Sequence, residues 1–357
     1  MLDATPGAVE VPGSALLLDA DAPEVLIPTR SRDLQVCFGC PGTGRARAVV
    51  ICTRADDPDT DELSVRLAAA GVALVRIDID RPCDADLHWD GRELLIELGE
   101  RRFEPAVVWL RHFAAAALPT AGLEACAAQH AREQWAAWCV NLAPLPHAAV
   151  VNAGARTFDA PNRVAQLAYA EARGLSTPQS VVTCDPAAAL AALAGDGDLL
   201  VKAIGPHYVE LPAGRARSLL PRRVSRAEFA RAGRQSAPLL VQHYVAHEHE
   251  LRVFCVAGRT FAFRVVKPAP DAYGRDPDAV SVAACELDGA TAAQLAGFMA
   301  DADLEIGAID LLSTPDGYVF LEVNASGSWA WFEQRTGSTL VSDAISGELV
   351  SLHGVRR

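Results

Sequence analysis

The chain has 357 residues, 50% hydrophobic and 22% charged, a balance that excludes a disordered protein and suits a soluble globular one. A formal net charge of −13 argues against broad binding to nucleic acid or anionic membranes, yet leaves room for a local basic pocket for phosphates. The length is too great for one compact core and predicts two or three subdomains.

No apolar run approaches the ~20 residues of a membrane span. The first residues lack a basic stretch followed by an apolar one, so a cytoplasmic location is expected. Nine cysteines are scattered through apolar segments, as buried free thiols are. Cys37-Phe-Gly-Cys40 is a lone CxxC pair, and a structural zinc site calls for a second.

Residues 1–46 are rich in Pro, Gly and Ala and read as an extension or small β element, with strand-like runs at Ala15–Leu18 and Val25–Pro28. A first domain over 47–150 opens with a β-α-β unit. Arg47–Thr53 is a strand, Thr60–Ala70 a helix stopped by Gly71, and Val72–Asp78 a strand. A third strand follows at Ala106–Trp109. A helix covers Ala121–Leu142, with Trp135 and Trp138 one turn apart as core packing. The span 151–245 carries a helix at Asn162–Arg173 and strands at Ser180–Thr183, Leu199–Ile204 and Leu239–Val245. The span 246–357 carries a hairpin, Glu250–Val256 with Thr260–Val266, and a helix at Ala292–Ala302. Strands at Ile306–Leu312 and Tyr318–Asn324 and a helix near Ser338–Leu349 complete it. The class is α/β with α+β character.

Chemistry concentrates in the last span. If Pro315–Gly317 form a three-residue loop, Thr314 pairs with Tyr318 and Asp310 lies opposite Glu322. Asn324 then shares their face. Two carboxylates and an amide oxygen are hard ligands suited to magnesium holding a triphosphate. Without a cation the facing carboxylates would repel. The alternative is a solvated face, which the apolar strand between them disfavours. If Ala257–Arg259 form the loop of the preceding hairpin, Arg252 faces Arg264, and an anion between them is called for. A two-residue Gly258-Arg259 loop spoils that pairing, and separate carboxylate partners are the plainer reading. Lys202, mid-strand in an apolar run, is costly to bury unless an anion meets it. A metal site on His243, His247 and His249 lacks an evident partner ligand.

The order of elements resembles the ATP-grasp superfamily from about Arg47 to Leu349. The tail Phe320-Leu-Glu-Val-Asn-Ala-Ser-Gly327-Ser-Trp329-Ala-Trp331-Phe-Glu333 resembles the RiPP macrocyclase branch, the graspetide or microviridin-type synthetases. Val107-Val-Trp109-Leu-Arg111 resembles the same branch. Ala325, Ser328 and His112 depart from its usual residues. The resemblance implies an ATP-grasp fold behind an N-terminal β-α-β domain. It implies phosphate contacts from Lys202 and from Arg163, where the family usually has lysine. It further implies adenine contacts from the segment holding Gln242, Tyr244 and Val245, with Glu250 gripping the ribose; Glu248 competes for that role.

The implied cofactors are ATP and Mg2+, held by Asp310, Glu322 and Asn324. The implied partner is a ribosomally made precursor peptide with leader and core segments, and the implied assembly is a homodimer. An Asp or Glu side chain of the peptide would become an acyl phosphate, then an ω-ester or ω-amide. The alternative activity is intermolecular amino-acid or peptide ligation, similar to the ribosomal-protein glutamate ligases. A non-catalytic ATP-binding module is a third reading, and the intact metal set argues against it.

Overall fold

The computed structural model describes residues 24–26, 45–81, 85–89, 91–142, 147–153, 162–205, 207–211, 215–269, 272 and 276–355. The run Ala15–Leu18 and the pair Cys37 and Cys40 lie outside them. Strand β1 (Glu24–Leu26) is followed by a first sheet of β2 (Arg45–Thr53), β3 (Ala73–Asp78), β4 (Ala85–Trp89), β5 (Leu94–Leu98), β6 (Arg101–Leu110) and β7 (Ala149–Val151). Its order is β3-β2-β6-β5-β4, with β7 also beside β6. β2 pairs in parallel with β3 and β6, so it is apolar on both faces. The crossover between β2 and β3 is α1 (Pro58–Ala69), started by Asp57 as N-cap and Pro58, and followed by Gly71 at φ 70°. The β4–β5 hairpin was not anticipated from the sequence. Helix α2 (Ala125–Val140) follows β6 and carries Trp135 against Phe113 and Trp138.

The middle of the chain gives α3 (Arg163–Ala172), β8 (Ser180–Thr183), α4 (Pro186–Ala192), β9 (Leu199–Ala203), β10 (Tyr208–Leu211), β11 (Arg215–Ser218), β12 (Arg222–Val224), α5 (Arg226–Ala230) and β13 (Leu239–His243). β12-β9-β13-β8 form an antiparallel sheet, whereas β1-β11-β10 form a separate small one. The last part gives β14 (His249–Val256), β15 (Arg259–Val266), β16 (Ser281–Cys285), α6 (Gly289–Asp301), β17 (Ile306–Thr314), β18 (Gly317–Asn324), α7 (Ala330–Thr336) and α8 (Leu340–Gly354). Its sheet runs β16-β15-β14-β17-β18. One face buries Leu251, Val253, Ile309, Leu311 and Phe320 against α3 and α6; the other buries Phe254, Phe263, Ala308 and Phe332 in a core shared with the first sheet.

Two polar groups join these parts. Asn152, just after β7, sits in the left-handed region at φ 58°. Its Nδ2 donates to Ile306 O (2.7 Å) and Ala325 O (2.9 Å), and its Oδ1 accepts from Glu305 N and Ile306 N. One side chain thus fixes the start of β17 and the residue after β18. Arg111, following β6, is fully buried and pairs with Asp57 (Nε–Oδ2 3.0 Å) and with Asp59. Its guanidinium also lies over the rings of Trp109 and Trp329, at 5.2 and 4.6 Å from their centroids, which stack on each other. Asp59 Oδ1 in turn accepts from Trp329 N and Ala330 N at the start of α7. Glu333 accepts from Val341 N and Ser342 N, capping α8, and Ser342 Oγ accepts from Trp329 Nε1. The tryptophan and glutamate of the tail segment are therefore structural locks.

Burial alone would raise the Asp57 carboxyl, but Arg111 and the hydroxyls of Thr53 and Thr60 outweigh it and hold the group below its ordinary range. Replacing Arg111 by Met strands two buried carboxylates, at a cost of about 3–5 kcal/mol near pH 7. Without their cation these groups titrate above their ordinary values, so the penalty grows with pH and shrinks as acid protonates them. Denaturant unfolding of both proteins at neutral and at mildly acidic pH checks this. A stability gap that is small, or equal at both values, would show that the ion pair does not hold the parts together.

Candidate active site

The alternation of β14 and β17 brings Glu250, Arg252 and Asp310 to one face, and the register pairs Arg252 with Asp310 directly. Asp310 also lies opposite Glu322, as expected, but by a different route. The β17–β18 loop has two residues, so Thr314 pairs with Gly317 and Ser313 with Tyr318. That register would have put Asp310 opposite Leu321. A bulge between Asp310 and Leu311 adds one residue on β18 and turns Glu322 back to Asp310. Asn324 stands two residues on, with its Nδ2 at 3.1 Å from Asp310 Oδ2 and 3.4 Å from Glu322 Oε1.

The donor set fits a hard divalent cation: two carboxylates and an amide within hydrogen-bond reach of one another. The amide presents its nitrogen to the carboxylates; turning it about its own axis presents Oδ1 from the same place, as a cation requires. Two arginines already partner the acids. Arg252 Nη1 bonds both Asp310 oxygens (2.9 and 2.7 Å), and Arg163 Nη1 bonds Glu322. Arg163, buried at the start of α3, also donates through Nε to Ile204 O at 3.3 Å.

Lys202 is 4% exposed, so it does not stand on a solvated strand face. Burial, then the nearby Arg163, lowers its ammonium to about 8, although Asp310 and Glu250 pull the other way. His207, touching Arg163, is lowered to about 4 by burial and by the charges of Arg163 and Lys202, so it is neutral near pH 7. Glu250 accepts from Lys267 Nζ at 2.7 Å and lies 3.7 Å from His247 Nε2. Glu248 is exposed and precedes β14, so Glu250 is the carboxylate on this face.

Two expectations need correction. Arg264 does not face Arg252. The β14–β15 loop is the two-residue Ala257-Gly258, both at positive φ (47° and 78°), as a tight hairpin turn requires. Arg252 therefore pairs with Phe263, while Arg264 pairs with Leu251 on the opposite face. Arg252 has the separate carboxylate of the plainer reading. Gln242 is not presented to a ligand either: its backbone belongs to β13, between β8 and β9, and its Nε2 donates to Ser180 Oγ. Tyr244 N donates to Asp198 O, and its ring lies under Arg223. Val245 O accepts from His247 Nδ1. A further cluster has no signature in the sequence. Among the described residues, Asp57, Asp59 and His112 bring ligand-type atoms within 4.8 Å of one another, whereas His243, His247 and His249 do not group. Arg111 is already salt-bridged to both acids there, and burial with that charge lowers His112 to about 3.

Two further residues at the site, Lys267 and His207, do not stand out in the sequence. Counting by twos from Phe263 and Val265 reaches Lys267, so the correct turn would have revealed it. His207 follows β9 across a bend and carries no periodic signal.

No protein-family model and no curated protein matches the sequence. Solved structures do. Macrocyclase MdnC from Microcystis aeruginosa MRC, bound to precursor peptide MdnA, superposes with a TM-score of 0.72 at 22% identity, over 85% of this chain and 99% of its own. A Chryseobacterium gregarium RiPP-associated ATP-grasp ligase, in complex with ADP and a leader and core peptide, gives 0.71 at 19% identity, over 88% and 98%. ATP-grasp ligase PsnB, complexed with a minimal precursor, Mg and ADP, gives 0.64 at 21% identity, over 85% and 97%. The chain has the ATP-grasp fold, and these ATP-grasp proteins share its arrangement of elements almost end to end.

Proposed function

We propose that this chain is an ADP-forming ligase that activates Asp or Glu side chains of a ribosomally made precursor peptide and closes ω-ester or ω-amide rings. The observation that carries the reading is the convergence of Asp310, Glu322, Asn324 and Arg252 on one sheet face of an ATP-grasp fold. The peptide ligands in similar structures support a peptide substrate here. No helix among the described residues is long and apolar enough to cross a membrane, and the reading places the enzyme in the cytoplasm.

A carboxylate oxygen of the peptide attacks the γ-phosphorus of ATP, and ADP leaves. A hydroxyl or amine of the same peptide then attacks the acyl carbon and releases phosphate, its proton passing to solvent. Asp310, Glu322 and the reoriented Asn324 would hold magnesium, which would supply positive charge against the triphosphate. Lys202 and Arg163 meet the phosphates, and Arg252 meets the phosphoryl group in transfer. Glu250, held by Lys267, accepts from the ribose hydroxyls. The segment Tyr244–Val245 borders the base. Arg264 has no part in this scheme.

With a cognate peptide, each turnover yields ADP and phosphate, and mass spectrometry finds the loss of one water per ring. AMP with pyrophosphate would sink the acyl-phosphate route, and gain of an amino-acid mass would point to intermolecular ligation.

Glu322→Gln and Asp310→Asn should each abolish ADP formation while keeping a cooperative melt. Undiminished turnover at limiting magnesium would remove them from the metal site.

Lys202 supplies a pH signature. Its ammonium ionises near pH 8 before nucleotide binds, and an adjacent triphosphate raises that value. Affinity for magnesium–ATP is therefore full below about pH 8 and declines as pH rises past it, with a proton taken up on binding. Calorimetry in buffers of differing ionisation enthalpy reads that proton. Binding with no proton uptake near pH 8.5 would place Lys202 away from the phosphates.

A further inference from the structure

We infer that Gly327 is a positioning residue for Arg252, its missing side chain being the space through which the guanidinium reaches the site. The inference rests on the phosphoryl role given to Arg252 above. A Cβ on Gly327 would lie 2.5 Å from Ala308 Cβ, 2.8 Å from Arg252 Nη2 and 3.2 Å from Asn324 O. The first two distances are shorter than real Cβ contacts allow, so something must shift. Backbone freedom is not the reason for glycine here, because its φ lies outside the left-handed region.

The surroundings decide what shifts. The loop is tied down along its length. Gly327 N donates to Asn324 O at 3.0 Å, and Ser326 Oγ donates to Arg111 O at 3.0 Å. Ala325 O accepts from Asn152, while Trp329 N and Ala330 N are held by Asp59. Ala308 is fully buried in β17, between β14 and β18. The one flexible neighbour is the Arg252 side chain. It is fixed at one end by Nη1 on Asp310, with its guanidinium carbon 5.6 Å from the Phe254 ring centroid and 5.9 Å from that of Phe332. A methyl at position 327 therefore pushes Nη2 and turns the guanidinium about its bond to Asp310. Gly327 and Ala308 form a slot of two small residues, and the arginine crosses it.

The test needs no peptide. Affinities for magnesium–ADP are measured by calorimetry with and without aluminium fluoride, a mimic of the phosphoryl group in transfer, alongside the ligand-free melting temperature. In Gly327→Ala the gain in affinity from fluoride should fall about tenfold or more, the scale of one misplaced charge-stabilising group. Affinity for magnesium–ADP alone should stay within about twofold, because Arg252 is assigned to the transferring phosphoryl group. Adding Ala308→Gly removes the 2.5 Å contact but not the one to Arg252. That double variant should regain its melting temperature and keep the fluoride defect, which a merely structural role would not do. In an Arg252→Met background, Gly327→Ala should remove no further gain. If Arg252→Met loses the gain and Gly327→Ala keeps it, the positioning role is overturned while the ligase reading stands. If Arg252→Met keeps the gain, or the wild type shows none, the phosphoryl role of Arg252 falls and the inference with it. If magnesium–ADP does not bind the wild type, the ligase reading itself fails.

Discussion

A buried arginine sets the relation between the first sheet and the site. Arg111 is out of water, between two carboxylates and two indoles, and these partners come from three pieces of chain. A charge so placed has one low-energy arrangement, because any shift uncovers an ion in a low-dielectric interior. Asp57 and Asp59 stand at the start of α1, Trp109 on β6, and Trp329 at the start of α7. The arrangement therefore fixes where the chain re-enters after β18. That re-entry is the loop closing over Ala308 and Arg252, so the packing of the first sheet is transmitted to a side chain in the candidate active site.

The large units of this fold were legible because they obey simple periodicities. Doubly apolar β2, the glycine-stopped α1 and the two C-terminal hairpins all follow from spacing of apolar residues and from turn chemistry. The β4–β5 hairpin was not legible: its strands are short, and most of their positions are partly or fully exposed. The tail residues Trp329 and Glu333 were read as a family signature, and only the packing gives them a physical task. Glu333 caps a helix that starts seven residues later.

Registers were the weak point, for a reason particular to sheets. Side chains alternate with period two, so a one-residue error in a loop moves a residue to the other face. The Ala257-Gly258 turn did this to Arg264. The β17–β18 loop was misjudged by the same single residue, yet the bulge beside Asp310 cancels that error. A bulge has no composition signal here, since Leu321 is an ordinary apolar residue in an apolar strand. Its effect is chemical all the same, because without it Asp310 would face a leucine and the carboxylate pair would not exist.

Under the proposed function, that pair belongs to a balance of charge by which an acidic protein would hold a polyanion. Across the site face, Glu250, Asp310 and Glu322 are matched by Lys267, Arg252 and Arg163, with Lys202 in addition. His207 adds no charge near pH 7, so the face carries a small positive surplus within a chain of net charge −13. In the proposed reaction the exchange is one of partners. Asp310 and Glu322 would hold magnesium in place of a guanidinium, and Arg252 and Arg163 would turn to phosphate. Each buried charge keeps a counter-charge throughout, which limits the desolvation cost of both states. The requirement is that the arginines can turn without leaving the site. Arg252 lies near the Phe254 and Phe332 rings, in a position open because nothing larger than hydrogen occupies position 327.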